Sequence, residues 1–251
     1  MASSENRVVF RDDPVNGPDH LKEAGKPIGH QNRYLAVGNY ETIDDVFNNA
    51  QTGSINSVAP GQVVPGDFIY IDFDSNGILN GQDKVAVDEL NYPLHTYGLN
   101  PGFDWKGLSF SAMFYAPTGV YKLVNSVYSA SFKSGKINAQ PDVMNAWTPE
   151  TANTSGVRAP ALHLTNDGAF NGTESTYRYQ NFSYLRLKTM ELGYNLPKKW
   201  LKTVGLKSLQ VYVTGNNLLT WWGGDDRIDP EGEQAKYPIL RSFTSGVRVS
   251  F

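Results

Sequence analysis

The segment "SYLRLKTMELGYNLP", from Ser183 to Pro197, decides the fold because its apolar residues move from odd to even positions halfway along. The first half sets an apolar face against a basic one: Leu185 and Leu187 against Arg186 and Lys188. The second half places its apolar residues at the opposite parity: Met190, Leu192, Tyr194 and Leu196. Alternation with a period of two predicts a β-strand. The one-residue offset predicts a β-bulge near Thr189.

Three further segments alternate in the same way. They are "GLSFSAMFYA" (107–116), "SLQVYVTGNN" (208–217) and "RSFTSGVRVSF" (241–251). Two more, "GDFIYID" (66–72) and "YPLHTYGLNPGFDW" (92–105), are rich in β-formers, and we predict one strand in each. The chain is therefore predicted to be all-β from residue 66 onward.

The connections between these strands alternate in length. The link at 105–107 and the "PKKWLKTVG" segment (197–205) are short, whereas 117–175 and 220–238 are long. Outer-membrane barrels have short periplasmic turns and long external loops, which gives this rhythm. A soluble β-sandwich with loops of uneven length is the alternative.

The totals narrow the class of protein. The chain has 251 residues, 22 basic and 25 acidic, and a formal charge of −3, which argues against nucleic acid as a partner. The absence of cysteine excludes disulfides and zinc–thiolate sites. No run of about 20 apolar residues predicts a transmembrane helix, and the first residues do not have the pattern of a secretory signal.

The N-terminal quarter differs from the rest. Residues 1–65 are polar and broken by Pro and Gly, so we assign them to an irregular strand and loop segment, with residues 66–251 as the region of regular strands. Within the first segment, "YETIDDVFNNA" (40–50) predicts one short helix with Ile43, Val46 and Phe47 on one side.

Several motifs, in order, resemble the C-terminal part of SusC-like TonB-dependent outer-membrane receptors (the RagA/SusC family). They are "GKPIGH" (25–30), "PGDFIYIDFDSNGILNGQD" (65–83), "YGLNPGFDWKGLSFS" (97–111), "AWTPE" (146–150), "SYLRLKTMELGYNLP" (183–197), "VYVTGNNLLTW" (211–221), "DPEG" (229–232) and "YPILRSFTSGVRVSF" (237–251). The resemblance covers residues 20–251, and its specificity comes from the order of the motifs.

The resemblance implies a fold. We expect a partial antiparallel transmembrane β-barrel, an open curved sheet of about 6–8 strands with long external loops, where the family's barrel has about 22 strands. The signal peptide, TonB-contact segment and plug domain of the family are not found. We therefore expect a C-terminal fragment, from a split or truncated reading frame, an internal start or a cloned piece.

The resemblance also implies a function and partners. The family imports glycans or peptides across the bacterial outer membrane, with outer-membrane lipid around the barrel. Its members work with a SusD-like lipoprotein over the external mouth, and with TonB, which pulls on the plug. This chain would need the remaining barrel and plug, and no enzyme activity is expected. A soluble secreted β domain that binds glycan or calcium is the alternative.

Apolar parity predicts which side chains face lipid and which face the lumen. Facing lipid we expect Leu209, Val211, Val213, Phe243, Val247, Val249 and Phe251. Facing the lumen we expect Gln210, Tyr212, Thr244 and Arg248. A β-sandwich core would show the same alternation.

The segment "DFDSNGILNGQD" (72–83) has the spacing of a calcium loop. Its candidate ligands are Asp72, Asp74, Asn76, the Ile78 carbonyl, Asn80 and Asp83, with a glycine at the sixth position. An Asx-rich turn between strands explains the same residues without a metal. We place this loop between an upward and a downward barrel strand, on the external side.

Three tryptophans, Trp147, Trp221 and Trp222, lie in or beside the long loops. They are candidates for contact with cargo or with the lipoprotein lid, although a membrane-interface girdle is the stronger interpretation. The four histidines, His20, His30, His95 and His163, lack metal-ligand spacing and are interpreted as surface or packing residues.

Overall fold

The structure is a computed structural model. It describes residues 1–15, 17–49, 63–87, 89–124, 144–152, 159–162, 171–202, 205–224, 227–232 and 237–251. The strands are β1 (Ala2–Ser3), β2 (Gln31–Arg33), β3 (Ala36–Asn39), β4 (Phe68–Tyr70), β5 (Val85–Val87), β6 (His95–Leu99), β7 (Gly102–Trp105), β8 (Leu108–Thr118), β9 (Tyr121–Leu123), β10 (Tyr179–Asn181), β11 (Tyr184–Asn195), β12 (Ser208–Trp222) and β13 (Ser242–Ser250). The helices are α1 (Ile43–Asn49) and α2 (Lys198–Leu201), with 3₁₀ turns at Asp19–Leu21, Gly81–Asp83, Pro149–Thr151 and Thr176–Arg178. Among these residues, no helix has the length and apolar character needed to cross a membrane.

The main sheet has seven strands, and every pair in it is antiparallel. Its order is β1-β6-β8-β11-β12-β13, with β7 also paired to β8. The sheet is open, with β1 and β13 at its ends, and its strand number falls within the expected range. The segment predicted as one strand at 92–105 is two, because the chain breaks at Asn100 and Pro101 between β6 and β7.

The predicted alternation of short and long connections is confirmed. The turn between β7 and β8 is two residues long, and both residues, Lys106 (φ 48°) and Gly107 (φ 91°), have positive φ. A Cβ on Gly107 would lie 2.9 Å from the Asn195 carbonyl oxygen, so this position needs glycine. The long connections join β8 to β11 and β12 to β13.

The predicted bulge in β11 is also confirmed. Its register shifts between Leu187 and Thr189 against both neighbours, β8 and β12. In β8 the partners of Thr189 and Leu187 are the adjacent residues Met113 and Phe114. In β12 the partners of the same two residues are Asn216 and Leu219, which are three positions apart. Asn217 in β12 has a φ of 53° at the same place. The bulge keeps the apolar residues of both halves of β11 on one face.

The chain divides into two compact units. The sheet unit contains Met1–Glu5, Asn91–Tyr121 and Asn181–Phe251, and the aromatic unit contains Asn6–Leu90 and Lys122–Gln180. This grouping does not follow the boundary drawn at residue 65, because the pairing that builds each unit joins residues far apart in sequence.

The aromatic unit is built from very short strands around a buried core. β2 pairs with β5 and β3 with β4, each in a two-stranded sheet. The core consists of Tyr34, Tyr40, Val46, Val63, Phe68, Tyr70 and Leu79. Of the three apolar residues on α1, only Val46 is buried, while Ile43 and Phe47 are exposed. The expected single apolar side is therefore wrong in part.

The barrel strands expected on either side of the loop at 72–83 are also wrong. The loop joins β4 to β5, and both belong to the aromatic unit rather than to the seven-stranded sheet. Its placement on the external side stays a prediction. The two strands are too short to have shown, from their sequence, which partners they take.

Candidate functional site

One face of the main sheet exposes its apolar side chains. Phe243 is 70% exposed and Val247 61%, and Val211, Val213 and Val249 are exposed as well. Directly paired residues in neighbouring strands share a face. The rows therefore continue across the sheet: Val247 with Val211 and Tyr194, and Val213 with Leu192 and Phe110. The residues expected to face lipid form one continuous apolar surface.

The opposite face carries a network of polar side chains. Arg248 Nη1 donates to Glu191 Oε1 at 2.8 Å and to Gln210 Oε1 at 2.9 Å. The hydroxyl of Thr214 donates to Glu191 Oε2 at 2.9 Å. The Arg248 guanidinium also lies 4.0 Å from the ring centroid of Tyr212. Of the residues expected to face the lumen, Arg248 thus contacts both Gln210 and Tyr212 on this polar face.

The height of the apolar surface suits a bilayer. Trp105 and Tyr194 lie at the end near the short turns, and Trp221 lies near the long connections; all three are exposed. Trp221 pairs with Leu185 of β11. A strand rises about 3.3 Å per residue, so Leu185 lies about 30 Å along β11 from Tyr194. A tilt of about 40° reduces this to about 23 Å, close to the apolar band of outer-membrane barrels.

A buried ion cluster lies on the polar face at the end near the long connections. Arg186, which is 2% exposed, donates through Nη2 to Asp229 Oδ1 at 2.8 Å and through Nη1 to Glu231 Oε2 at 2.9 Å. Its Nε donates to Thr220 Oγ1 at 3.0 Å. Lys188 forms a second ion pair with Glu231. Two cations of β11 therefore hold two carboxylates of the β12–β13 connection.

Asp229 is the centre of this cluster. It accepts from the backbone amides of Glu231 at 2.9 Å, Gly232 at 3.2 Å and Ile239 at 3.3 Å, in addition to Arg186. Burial on its own would raise the pKa of Asp229, but the Arg186 guanidinium and these amides outweigh it and lower that pKa. The sequence showed "DPEG" only as a motif, and the partner 43 residues away left no local signal.

The carboxylates of the candidate calcium loop converge. Oxygen atoms of Asp72, Asp74 and Asp83 lie within 4.8 Å of one another, and among the described residues they form the one such acidic group. Asp83 is buried, while Asp74 is exposed. Hard carboxylate oxygens in this arrangement are the ligand type that Ca²⁺ prefers.

The same loop is held by its own hydrogen bonds. Asp72 accepts from the amides of Gly77 at 2.7 Å and Asn76 at 3.2 Å, and Asp83 accepts from those of Phe73 at 2.9 Å and Asn80 at 2.7 Å. Burial alone would raise the pKa of Asp72, but these amide donors prevail and lower it.

The other candidate oxygens of the loop are engaged as well. Asn76 Oδ1 accepts from the Ile78 amide at 2.7 Å, and the Ile78 carbonyl accepts from Asn80 Nδ2 at 3.0 Å. Each oxygen keeps a second lone pair, so the arrangement fits both an Asx-rich turn and a cation site.

The three tryptophans occupy different surroundings. Trp147 lies in the aromatic unit, is 8% exposed and donates its indole N–H to Glu41 at 3.2 Å, so its ring faces are not accessible in this conformation. Trp221 is exposed on the apolar face. Trp222 is half-buried, 5.1 Å from the ring centroid of Phe182. Trp221 and Trp222 belong to the sheet unit and Trp147 to the aromatic unit.

The described histidines make ordinary contacts. His20 Nε2 lies 2.8 Å from the Gln82 carbonyl oxygen, and His30 Nδ1 lies 3.2 Å from that of Pro27. His95 Nδ1 lies 3.0 Å from the Ser3 hydroxyl. His163 lies outside the described residues.

An open antiparallel sheet with one exposed apolar face and one hydrogen-bonded polar face defines a partial β-barrel of the outer-membrane type. Solved structures share this fold. The chain matches the RagAB peptide transporter with a TM-score of 0.62 and 24% identity, over 91% of this chain and 23% of that one. It matches the RagAB peptide importer in the open-open state with a TM-score of 0.63 and 22% identity, over 91% of this chain and 23% of that one.

Curated relatives agree in sequence. TonB-dependent receptors P3 and P26 of Formosa agariphila are 30% and 31% identical over 206 and 210 residues, which is 76% and 75% of this chain and 20% of each relative. TonB-dependent receptor SusC of Bacteroides thetaiotaomicron is 28% identical over 195 residues, which is 74% of this chain and 18% of that protein. No protein-family model matches.

The chain is a relative of the SusC-like TonB-dependent receptors, and the resemblance drawn from its motifs is confirmed. The chain spans about a fifth of the length of the curated relatives it matches.

Proposed function

We propose that this chain forms part of the barrel wall of a TonB-dependent importer in the bacterial outer membrane. Its apolar face contacts lipid and its polar face lines the lumen. The observation that supports this is the arrangement of the main sheet, in which valines and phenylalanines are exposed while the charged side chain of Arg186 is buried and ion-paired. An apolar surface of this extent is unfavourable in water and favourable in hydrocarbon.

The proposal includes the family's partners. The remaining barrel and the plug complete the pore, a SusD-like lipoprotein covers the external mouth, and TonB acts through the plug. The cargo is a glycan or a peptide, and the fold shared with a structure named a peptide transporter supports the peptide. Competition between labelled peptides and glycans for uptake by the native host would separate the two.

Lysine substitutions test the facing of the sheet. A lipid-facing cation near the bilayer midplane costs about 2–4 kcal/mol, so Val247→Lys should strongly reduce assembly. Thr244→Lys, on the polar face of the same strand, should assemble nearly as the natural chain does. The measurement is the fraction of full-length receptor with heat-modifiable gel mobility in membranes of the native host, and equal assembly of the two variants would reject this facing.

Fractionation distinguishes the importer from the alternative, a soluble secreted β domain that binds glycan or calcium. A wall segment partitions into the membrane pellet and needs detergent for extraction. A monodisperse monomer without detergent would favour the soluble domain. The open edges at β1 and β13 carry unpaired backbone groups, so we expect the chain alone to aggregate unless the rest of the barrel is supplied.

We also propose that the loop at 72–83 binds calcium weakly, with a Kd of roughly 10⁻⁴–10⁻³ M, and so stiffens its own turn. Asp72, Asp74 and Asp83 would hold the ion, with oxygens of Asn76, Ile78 and Asn80 completing the shell. The convergence of the three carboxylates supports this. In a calcium titration of the intact receptor, the binding signal should be lost in Asp72→Ala and Asp74→Ala but kept in Asp12→Ala, a change at an exposed aspartate of the same unit. Unchanged calcium binding in Asp72→Ala and Asp74→Ala would contradict a calcium site in this loop.

For the tryptophans, we propose that Trp221 is part of the membrane-interface girdle. Its exposure on the apolar face, level with Leu185, supports this role over stacking on cargo. Quenching of Trp221 fluorescence by brominated lipids would test it, and quenching by soluble acrylamide alone would contradict it. Contact of Trp222 with cargo or lid stays a prediction.

A further inference from the structure

The ion cluster on the polar face does more than satisfy buried charge. We propose that residues 227–232 form a clasp, locked onto the polar face of the sheet by Arg186 and Lys188, and that loss of these charges releases the β12–β13 connection from the sheet. The inference concerns the described residues of the sheet unit and does not depend on the cargo or on the orientation of the sheet in a membrane.

The clasp has an internal architecture separate from its lock. Asp229 accepts from the amides of Glu231 and Gly232, which closes a tight turn within the clasp, and from that of Ile239, which ties in the returning limb of the connection. Ile228 beside it is buried. These bonds lie within the connection itself, so they can persist when the clasp leaves the sheet.

The lock itself consists almost entirely of charge. Both Nη atoms of Arg186 are used on the clasp, one on Asp229 and one on Glu231. Lys188 takes the second oxygen of Glu231, and its ammonium lies 4.8 Å from the ring centroid of Tyr115. Buried ion pairs of this kind are strongly destabilised when one partner is removed, because the remaining charge is left without compensation.

The bulge in β11 makes the lock possible. Regular alternation would point Lys188 to the apolar face, because Thr189 already faces the polar side. The extra residue at the bulge instead places Lys188 on the polar side, close to Arg186. Two cations from one strand can thus reach the same carboxylate of Glu231.

Limited trypsin digestion tests the clasp, because trypsin cleaves after Arg227, at its start. Glu231→Gln removes contacts to the sheet but keeps the Asp229 turn, and Arg186→Met removes the principal cation. Proteolysis of a native protein follows the population of the open state. We expect cleavage after Arg227 to be roughly tenfold faster or more in both variants, in membranes of the native host, with heat-modifiable mobility retained.

Glu191→Gln is the matched control. It removes the same charge by the same change on the same face, but from the pair with Arg248, which is half-exposed and outside the clasp. Cleavage after Arg227 should stay at the natural rate in this variant. If Glu231→Gln is cleaved at the natural rate, or if Glu191→Gln accelerates cleavage equally, the clasp is rejected.

The digestion still tests the clasp if Arg186→Met does not fold or if the protein is soluble. If Arg186→Met fails to fold, Lys188→Gln combined with Glu231→Gln replaces it, and an unchanged rate there rejects the lock. If the protein proves soluble, the proposed importer fails, but the same digestion of the soluble protein still tests the clasp. The two failures are therefore distinguishable.

Discussion

The sheet unit and the aromatic unit differ in where they place their large apolar side chains. In the aromatic unit Tyr40, Phe68 and Tyr70 are almost fully buried, as in a water-soluble domain. In the sheet unit the large apolar residues of β13 are exposed and Arg186 is buried. One chain thus contains a region with a buried aromatic core and another whose sheet exposes an apolar face.

The difference shows that the apolar content of a region does not determine whether its apolar side chains are buried or exposed. Both units are rich in aromatic and β-branched residues, and both form strands. The aromatic unit gains stability by removing apolar area from water. The sheet unit relies on backbone pairing and on polar contacts across one face, because many apolar side chains of its other face remain exposed.

The largest effect should come from truncating the aromatic core. Phe68→Ala removes a fully buried ring that packs 4.6 Å from the ring centroid of Tyr177, and should cost about 3–5 kcal/mol. Phe243→Ala, on the exposed apolar face, should cost less than about 1 kcal/mol. Hydrogen exchange of β4 and β13 amides in native membranes measures both, and similar losses of protection would break the comparison.

A smaller effect is expected at a glycine inside the aromatic unit. A Cβ at Gly66 (φ 93°) would lie 2.5 Å from Trp147 Cε3 and 2.4 Å from the Ala161 Cβ. Gly66→Ala should therefore cost about 2–3 kcal/mol and shift the fluorescence of Trp147. Gly25→Ala is the control, because Gly25 (φ 84°) has open space around it and the change costs only the backbone strain, about 1 kcal/mol. Equal costs would show that the packing against Trp147 contributes nothing.

A still smaller effect is expected at the exposed pair of the polar face. Glu191→Gln breaks the ion pair with Arg248, but screening by water makes such pairs weak. The temperature at which the folded gel band disappears should barely change, and any change should vanish at high salt. A large, salt-independent loss would mean that the polar face is closed off from solvent.

The smallest effect is a pH dependence in the candidate calcium loop. The pKa of Asp72 is lower in the folded protein than its ordinary value of 3.8, so the carboxylate stabilises the fold above that pH. This contribution is lost as the pH falls through the lowered pKa, on the acid side of 3.8. Hydrogen exchange of the loop amides measures the stability of the loop as the pH is lowered. Asp72→Asn should remove the loss of stability at acid pH, and an unchanged loss would mean that other groups cause it.

Much of the sheet followed from the sequence because its information is local. The parity change within Ser183–Pro197 predicted the bulge, and alternation predicted the strands and their apolar face. The lengths of the links predicted which connections are short and which are long. These signals lie within one strand or one turn, so no knowledge of distant residues was needed.

The errors concern contacts between distant parts of the chain. The pairing of β1 with β6 joins residues more than 90 apart, and no periodicity marks a two-residue strand. The contact of Arg186 with Asp229 depends on where a long connection returns. The partners of β4 and β5 could not be predicted for the same reason, so the loop between them was assigned to the wrong sheet. Local patterns specify elements, but only the fold specifies which elements meet.

The bulge at Lys188 also has an evolutionary consequence. Lys188 is the residue that β11 has in excess of β8, so its deletion would make the pairing to β8 regular without turning a leucine to the other face. The same deletion would enlarge the mismatch with β12, which advances three residues across this level, and would remove one cation of the lock. A deletion elsewhere in β11 reverses every side chain between the gap and the bulge. A deletion scan of membrane assembly should therefore show Lys188 as the least damaging position of β11, and length variation among lineages should collect there.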